Sequence, residues 1–526
     1  MRRRALGLLV IVGLLAAATI FRASADSTYA VQRGVVTSFD GTPIVYNYFT
    51  PAAASAATPV PLIMRTHGWG GTGETTAGGT LGKLLDNGYA VVTWDERGFG
   101  ASGGEANVDD INLEGRDAAA LLDVIAARPE ILKESGDPVV GMTGGSYAGG
   151  IQLALASIDS RIDAIAPEIT WNDLNRSLWQ GDVIKLGWGE LLYGAGLATA
   201  ATGGFDPRSN TAGIQTGAYA PFIHEAEVKG ASLGYPDQAT KDAFGQKGLA
   251  TYGNATRTVR VPTLLMQGKT DTLFDLNEAY ANFKTVVANG APAKLIAFCG
   301  GHAGCPSYNN DGPLARAHQD DAILAWFAKY LKGDTSVSTG AAVEWSLGNG
   351  TWQSGPGFPT AADPQGATIA EAQGSGSVVN PGALNQGENQ GTAIAIADSS
   401  TSGQPDTLTI PVATAGTDEQ VVGIGQVTGS ITGVGSGTNL IFKLVDRESH
   451  RAINGQAATL RVDGPFTPDI TRAFSVDLVG VAELLPAGHH LDLEVSTTGL
   501  PHATYRGAGV FTVAVDRVAV PVLPLG

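Results

Sequence analysis

Short apolar runs separated by amphipathic stretches mark the chain from about residue 30 to residue 335. PLIMRTH (61–67), YAVVTWD (89–95), DPVVGMTG (137–144), RIDAIAPEI (161–169), VPTLLMQG (261–268) and AKLIAFCG (293–300) lack the polar alternation of a half-exposed strand. Between them lie stretches of helical period: LGKLLDNG (81–88), LEGRDAAALLDVIAARPEIL (113–132), GGIQLALASI (149–158) and the closing QDDAILAWFAKYLKG (319–333). Strands that need no polar face are those covered on both sides, so this rhythm predicts a parallel sheet between two helical layers. Ahead of it, GVVTSFDGTPIVYNYFTP (34–51) reads as two strands around an Asp40-Gly41 turn.

Two departures from the rhythm divide the chain. Residues 171–258 interrupt the strand series and carry Trp171, Trp179, Trp188, Tyr193, Tyr219 and Phe222. An insertion of that length between sheet strands is expected to cap the carboxyl edge of the sheet. Its aromatic residues then either line a pocket or pack the cap's own core. After the linker DTSVSTGAA (334–342) the helical period vanishes. Runs such as DTLTIPVAT, NLIFKLVDRE and GVFTVAVDRVAV alternate with period 2 between turn residues. They predict an all-β sandwich or jelly roll over 340–526. The polar, glycine-rich stretch 373–391 is expected to be a surface loop. The predicted class is thus an α/β domain (26–335) with a helical cap, followed by a β-sandwich.

The first 25 residues stand outside this fold. Arg2 to Arg4 precede the apolar run ALGLLVIVGLLAAATIF, and Ala23-Ser24-Ala25 is a small-x-small cleavage site before Asp26. This is the layout of an export signal, which predicts a secreted protein with no stable membrane insertion after cleavage. A retained membrane anchor is the alternative. Cleavage leaves 29 basic against 50 acidic residues, a formal charge of −21. Such a surface repels nucleic acid and anionic lipid, which removes both from the expected partners. An exported chain also allows Cys299 and Cys305, in FCGGHAGCP, to pair. Their spacing around one histidine is not that of a metal site, and no metal or cofactor is expected.

The candidate chemistry centres on GMTGGSYAGG (141–150). Ser146 lies between an apolar strand and a helix, and Gly144, Gly145, Ala148, Gly149 and Gly150 supply the small side chains a sharp strand–turn–helix requires. The N-terminus of the following helix favours an oxyanion beside the hydroxyl. A serine needs a base to take its proton and an acid to orient the base. Asp271 follows the strand VPTLLMQG, and His302 follows the strand AKLIAFCG. Asp275 and Glu278 compete with Asp271 but fall in or beside the next helix. The other histidines fall in the cap, the β-region or surface positions, and His67, ending the third strand, has a structural reading. The oxyanion hole is expected from the backbone N–H of Tyr147 and of Trp69; the Trp69 indole has the alternative of walling the pocket. A Cys299–Cys305 bridge would staple the loop that carries His302.

These residues resemble the X-Pro dipeptidyl-peptidase and cocaine-esterase family of serine hydrolases. Gly144-Gly145-Ser146-Tyr147-Ala148-Gly149 is similar to its G-x-S-Y-x-G elbow, and WDERGFGASGG (94–104) to its R-G-x-G-x-S-x-G stretch. VEWSLGNGTWQS (343–354) and LPAGHHLDLEVS (485–496) resemble parts of its carboxyl-terminal jelly roll. The resemblance covers nearly the whole mature chain. It implies cleavage of an ester or amide through an acyl-enzyme, with Ser146 attacking, His302 as base then acid, and Asp271 orienting it. It departs in one place. The family often places a tyrosine hydroxyl after the third strand as an oxyanion donor, whereas THGWGG (66–71) has none. A backbone-only hole puts strict X-Pro specificity in doubt.

Trp171 is expected in the substrate pocket, and Glu168, Asp173, Asp182 and Glu190 are candidates to anchor a peptide's amino terminus. An acidic anchor in the cap points to an exopeptidase; an all-apolar pocket points to a carboxylesterase without peptidase activity. From another class, the chain could be a surface- or carbohydrate-binding protein with a degenerate hydrolase attached, against which the ordered triad argues. The substrate is expected to be a small ester or peptide; neither its identity nor the oligomeric state follows from the sequence.

Overall fold

The computed structural model describes residues 29–525 apart from 203–218, 253–257, 303, 307, 308, 310, 349, 383–406, 500 and 501. The expected export signal therefore lies outside the described residues. Among the described residues, no helix is long and apolar enough to cross a membrane.

The first half is built on one ten-stranded sheet. In chain order its elements are β1 (Tyr29–Thr37), β2 (Pro43–Pro51), β3 (Leu62–Arg65), α1 (Gly79–Asp86), β4 (Ala90–Trp94) and α2 (Glu114–Ala126). A two-stranded hairpin, β5 (Lys133–Glu134) and β6 (Asp137–Pro138), then leads to β7 (Val140–Gly145), α3 (Tyr147–Ile158) and β8 (Ile162–Glu168). The cap follows as α4 (Leu174–Trp179), α5 (Leu186–Thr202), α6 (Pro221–Leu233), α7 (Gln238–Gly245) and α8 (Leu249–Tyr252). The sheet resumes with β9 (Thr263–Gly268), α9 (Leu276–Ala288), β10 (Ala293–Phe298) and α10 (Gly312–Leu331). It ends with β11 (Val343–Gly348) and β12 (Thr351–Gly355).

The strand order is β1-β2-β4-β3-β7-β8-β9-β10-β11-β12, parallel from β4 to β11 and antiparallel at both ends. Strands β4 and β9 are buried along their whole length, and β10 in all but its first residue, as their unbroken apolar runs require. One core, with Ile151 and Leu155 of α3 and Leu121 of α2, covers one face; Leu84 of α1 and Phe327 of α10 belong to the core on the other. Chain order runs outward from β3 to β4 and then jumps back to β7 on the other side of β3. Such a reversal opens a crevice at the carboxyl ends of the strands, where open α/β sheets bind their ligands.

The segment expected to open the second domain, VEWSLGNGTWQS, instead extends the first sheet: β11 pairs in parallel with β10 over Leu295–Ala297, and β12 folds back on β11. Trp345 and Val343 are apolar and fully covered there, packed with Leu265 and Leu295. The second domain proper begins at β13 (Thr368–Asn380) and continues through β14 (Leu408–Thr414), β15 (Glu419–Gly423), β16 (Gln426–Asp446), β17 (Arg451–Ala452), β18 (Ala458–Phe466), β19 (Arg472–Asp477), β20 (Val481–Leu485), β21 (His490–Ser496) and β22 (Gly509–Pro524). All their pairings are antiparallel, with β16 and β22 as the long central partners.

The expected loop at 373–391 is corrected in part. Residues 373–380 belong to β13, paired with β22 from Thr368↔Val522 to Asn380↔Gly509. Glycine stands at alternate positions because Leu408 and Ile410 fill the space a side chain would need at Gly376 and Gly374. What reads as flexible composition is a period-2 strand with its inward residues trimmed to hydrogen. Residues 383–391 lie outside the described residues.

Candidate active site

Ser146 sits between β7 and α3 with φ 61° and ψ −122°, a conformation costly for a residue with a side chain. The turn is held by Ser146 N–H donating to Glu168 O (2.9 Å) and by Gly149 N–H donating to Ser146 O (2.8 Å). Gly149 allows the next strand to pass: a Cβ there would stand 2.6 Å from Thr170 Cβ. The strained serine is thus fixed by β8 on one side and α3 on the other, with its hydroxyl at the carboxyl edge of the sheet.

His302 Nε2 lies 2.7 Å from Ser146 Oγ, and His302 Nδ1 lies 2.7 Å from Asp271 Oδ2. The Asp271 carboxylate is completely buried. Its Oδ1 accepts the N–H groups of Leu273 (2.9 Å) and Phe274 (3.2 Å), and its Oδ2 also accepts His302 N–H (3.1 Å). An acceptor so fixed selects the imidazole tautomer with hydrogen on Nδ1, leaving the Nε2 lone pair facing the hydroxyl. Phe274 and Trp188 meet the imidazole edge-on, with ring centroids at 5.1 and 5.7 Å. Trp188 is itself held by donation from Nε1 to Thr272 Oγ1 (3.0 Å). The loop bearing His302 is closed by a Cys299–Cys305 disulfide, with the two Cα atoms 5.1 Å apart. Asp275 and Glu278 are otherwise engaged. Asp275 caps α9, and Glu278 accepts from Asn172 N, Asp173 N and Arg176 Nε.

The loop after β3 runs beside the serine: a Cβ at Gly68 would lie 3.8 Å from Ser146 Cβ. His67, before it, is buried and structural. Its Nε2 accepts Glu96 N–H (3.0 Å) and its Nδ1 donates to Gly68 O (2.8 Å). The Trp69 indole walls the cavity. It stacks on Tyr219 at 5.2 Å and donates to Leu192 O (3.0 Å) of α5, which ties the β3 loop to the cap. Tyr147 is the first residue of α3, so its N–H leaves the helix end without an intrahelical partner. Its phenol is buried beneath the elbow, where the hydroxyl donates to Glu114 Oε1 (3.4 Å) and accepts Asp109 N–H (3.3 Å).

That phenol rests on a group of buried acids. Glu96, Asp109, Glu114 and Asp117 are all buried, and Arg97 makes a two-pronged pair with Asp117. Burial, with the neighbouring negative charges, pushes the Glu96 and Asp109 carboxyls well above the usual carboxylate range. Glu114 is pushed up to about 7, chiefly by burial.

A cavity lies over Ser146, between the sheet edge and the cap. Its walls are largely apolar, with Trp69, Trp171, Trp179, Phe244 and Leu273 among them. Trp171, a candidate for the substrate pocket, is among the residues lining this cavity. Glu168 and Asp173 are not among the lining residues. Glu168 is buried against Arg316, whose Nη1 donates to its Oε2 (2.8 Å), and Asp173 caps α4 by accepting Asn175 N–H (2.9 Å). Asp182 pairs with Lys241. Of the four anchor candidates only Glu190 lines the cavity, and it is joined by Glu227, which the sequence reading missed. Burial and the nearby Glu190 charge raise the Glu227 carboxyl above its ordinary range. Lys185 also lines the cavity and was missed. It is fully buried, donates Nζ to Leu273 O (2.9 Å), and is driven below the usual lysine range by burial.

A family model for the X-Pro dipeptidyl-peptidases (S15 family) matches residues 40–304, half of the chain. The chain belongs to this family. It is accordingly a hydrolase of the S15 type. Several solved structures share the fold from end to end. An alpha-amino acid ester hydrolase superposes with a TM-score of 0.71 at 16% identity, covering 97% of this chain and 98% of the other. An aminopeptidase from the marine sediment archaeon Thaumarchaeota archaeon gives 0.69 at 14% identity, with 96% and 98% covered. A CocE/NonD family hydrolase from Staphylococcus aureus gives 0.64 at 15% identity, with 94% of each chain covered. No curated protein matches the sequence.

Proposed function

We propose that this S15 member is a serine hydrolase that works through an acyl-enzyme on Ser146. The observation that carries the reading is the pair of 2.7 Å contacts that run from Asp271 through His302 to Ser146. As the serine oxygen attacks the substrate carbonyl, His302 Nε2 takes its proton. Asp271 stays ionised and stabilises the imidazolium. The oxyanion is received by the N–H groups of Tyr147 and Trp69, each such donor being worth about 3 kcal/mol in the transition state. His302 then passes the proton to the departing alcohol or amine. Water, deprotonated by the same imidazole, releases the acid.

The substrate's acyl part is an apolar group held among Trp69, Trp171 and Phe244. The two cap carboxylates favour a substrate with a free amino group, an amino-acyl ester or an amino-terminal peptide bond, over a neutral ester. The aminopeptidase and alpha-amino acid ester hydrolase among the similar structures are consistent with that preference. The same reading keeps residues 1–25 as an export signal, and an oxidised Cys299–Cys305 pair is in keeping with an extracytoplasmic destination. Amino-terminal sequencing of the exported protein is expected to begin at Asp26.

The direct test is a fluorophosphonate probe combined with a panel of p-nitrophenyl esters, amino-acyl anilides and X-Pro anilides. Wild-type protein is expected to be labelled at Ser146 and to hydrolyse part of the panel. Ser146→Ala is expected to lose labelling and turnover with an unchanged circular dichroism spectrum. Comparable turnover by the purified variant would refute the assignment.

A further inference from the structure

The second domain reaches the hydrolytic site from outside, through the loop that carries Asp271. Gln456 lies in the turn after β17, and its side chain is buried. Its Nε2 donates to two backbone carbonyls of the first domain, Lys269 O (3.1 Å) and Asp271 O (3.0 Å). These carbonyls flank Thr270, whose hydroxyl donates to Gly300 O (2.9 Å) in the loop leading to His302.

Gln456 is itself held in place. The turn residue Asn454, at φ 53°, donates from N and Nδ2 to Glu483 Oε2 (2.7 and 2.8 Å), and its Oδ1 accepts Ala482 N–H (2.7 Å). The same loop is gripped at two further points. Lys269 Nζ, fully buried, donates to Ser346 O (2.8 Å) and to Ala482 O (2.9 Å) of β20. Asn277 donates to Leu478 O (3.0 Å) and accepts Gly480 N–H (2.7 Å). From within the first domain, the backbone bond at Asp271 is the long one from its N–H to Gly268 O (3.2 Å).

We propose that Gln456 is a positioning residue for the hydrolytic reaction: by binding both carbonyls of the turn it sets the angle at which the Asp271 carboxylate meets His302. The proposal rests on the Ser146–His302–Asp271 reading above. One amide hydrogen-bonding two carbonyls fixes two peptide planes, and the carboxylate follows the second. Preorganised geometry of this kind is where rate is lost when a supporting shell is loosened.

The test compares Gln456→Met, which keeps the volume and removes the donor, with Gln420→Met. Gln420 is a control buried at the same interface, where it accepts Trp345 Nε1 (2.9 Å) and touches neither Lys269 nor Asp271. Full-length variants are assayed on the best substrate of the panel, with Tm measured alongside. For Gln456→Met, kcat is expected to fall about tenfold with KM within about twofold of wild type, a sub-ångström misplacement costing less than the roughly 10²-fold of a 1 Å one. Gln420→Met is expected to keep kcat within about twofold at a similar loss of Tm. Equal kcat losses in the two variants, in proportion to Tm, would make Gln456 a plain structural residue and overturn the proposal. So would a wild-type kcat in Gln456→Met. If that variant is not recovered folded, Gln456→Asn, whose amide is one carbon short of the carbonyls, takes its place with the same two outcomes. Labelling of wild-type Ser146 reports separately on the underlying reading.

Discussion

Asp271 occupies the space in which Gly301 would carry a side chain. A Cβ built on Gly301 would stand 2.5 Å from Asp271 Cβ and 2.7 Å from its Oδ2, and the backbone there has φ 131°. The residue before His302 is therefore glycine for two reasons at once, conformational freedom and room for the carboxylate. Gly301→Ala is expected to push the histidine loop and Asp271 apart and to lower kcat by roughly 10²-fold, the scale of a misplacement near 1 Å. Steady-state kinetics on the purified variant decides it; a kcat within a few-fold of wild type would show that the loop yields without disturbing His302.

The disulfide closes a short loop around His302, and closing so short a loop stabilises the fold by roughly 2 kcal/mol in the chain-entropy model. Its larger effect should be on rate, because Cys299 adjoins β10 while Cys305 lies beyond the histidine. Cys299→Ser with Cys305→Ser, or full reduction verified by thiol titration, is expected to reduce kcat and Tm together. An unchanged kcat after verified reduction removes the loop-stapling role.

Glu190 and Glu227 line the cavity from α5 and α6, and burial together with the nearby Glu190 charge raises the Glu227 carboxyl above its ordinary range. A substrate ammonium would relieve that repulsion. The double variant Glu190→Gln, Glu227→Gln is expected to lose at least about tenfold in kcat/KM on amino-acyl esters, the equivalent of about 1.4 kcal/mol. Neutral acyl esters of the same size should be turned over as before. A uniform loss on both series would assign these carboxylates to the cap's structure.

Glu114 gives a pH dependence with a defined sign. Its carboxyl titrates at about 7 in the folded chain against 4.5 for an ordinary glutamate. Between those values the folded protein holds a proton that the unfolded chain releases. The stability contribution is complete below about 4.5 and is lost as pH rises to about 7. Glu114→Gln cannot titrate. Whatever its absolute offset, urea unfolding of the two proteins should show the wild type losing stability relative to the variant across this window. A difference that is flat in pH would contradict the assignment.

The apolar runs were legible as sheet strands because both faces of the sheet are covered, and a fully buried strand leaves that signature without reference to its neighbours. Ser146, Asp271 and His302 could be picked out because each follows such a run directly. Glu168 ends such a strand, yet its charge is taken by Arg316, 148 residues later, a pairing that no local pattern announces. Asp173 was decipherable in principle: an aspartate just ahead of a short helix is an N-cap before it is a substrate anchor. Glu227 and Gln456 carry no signal of spacing at all. Their roles arise from where a cap helix and a distant turn come to rest. At Gly374 and Gly376 the composition is that of a loop, while the alternation of glycine with polar residues is that of a strand edge facing Leu408 and Ile410.

The strand exchange at β11 bears on how such a protein can be taken apart. The strand that shields β10 comes from chain beyond the linker, as do both carbonyl oxygens that receive the Lys269 ammonium. A fragment ending at the close of α10 would present the bare rim of β10 to other molecules and strand a cation inside an oily interior. Gene fusions, truncations and domain swaps that treat residue 335 as a seam should therefore yield aggregates. The two halves form one inheritable unit.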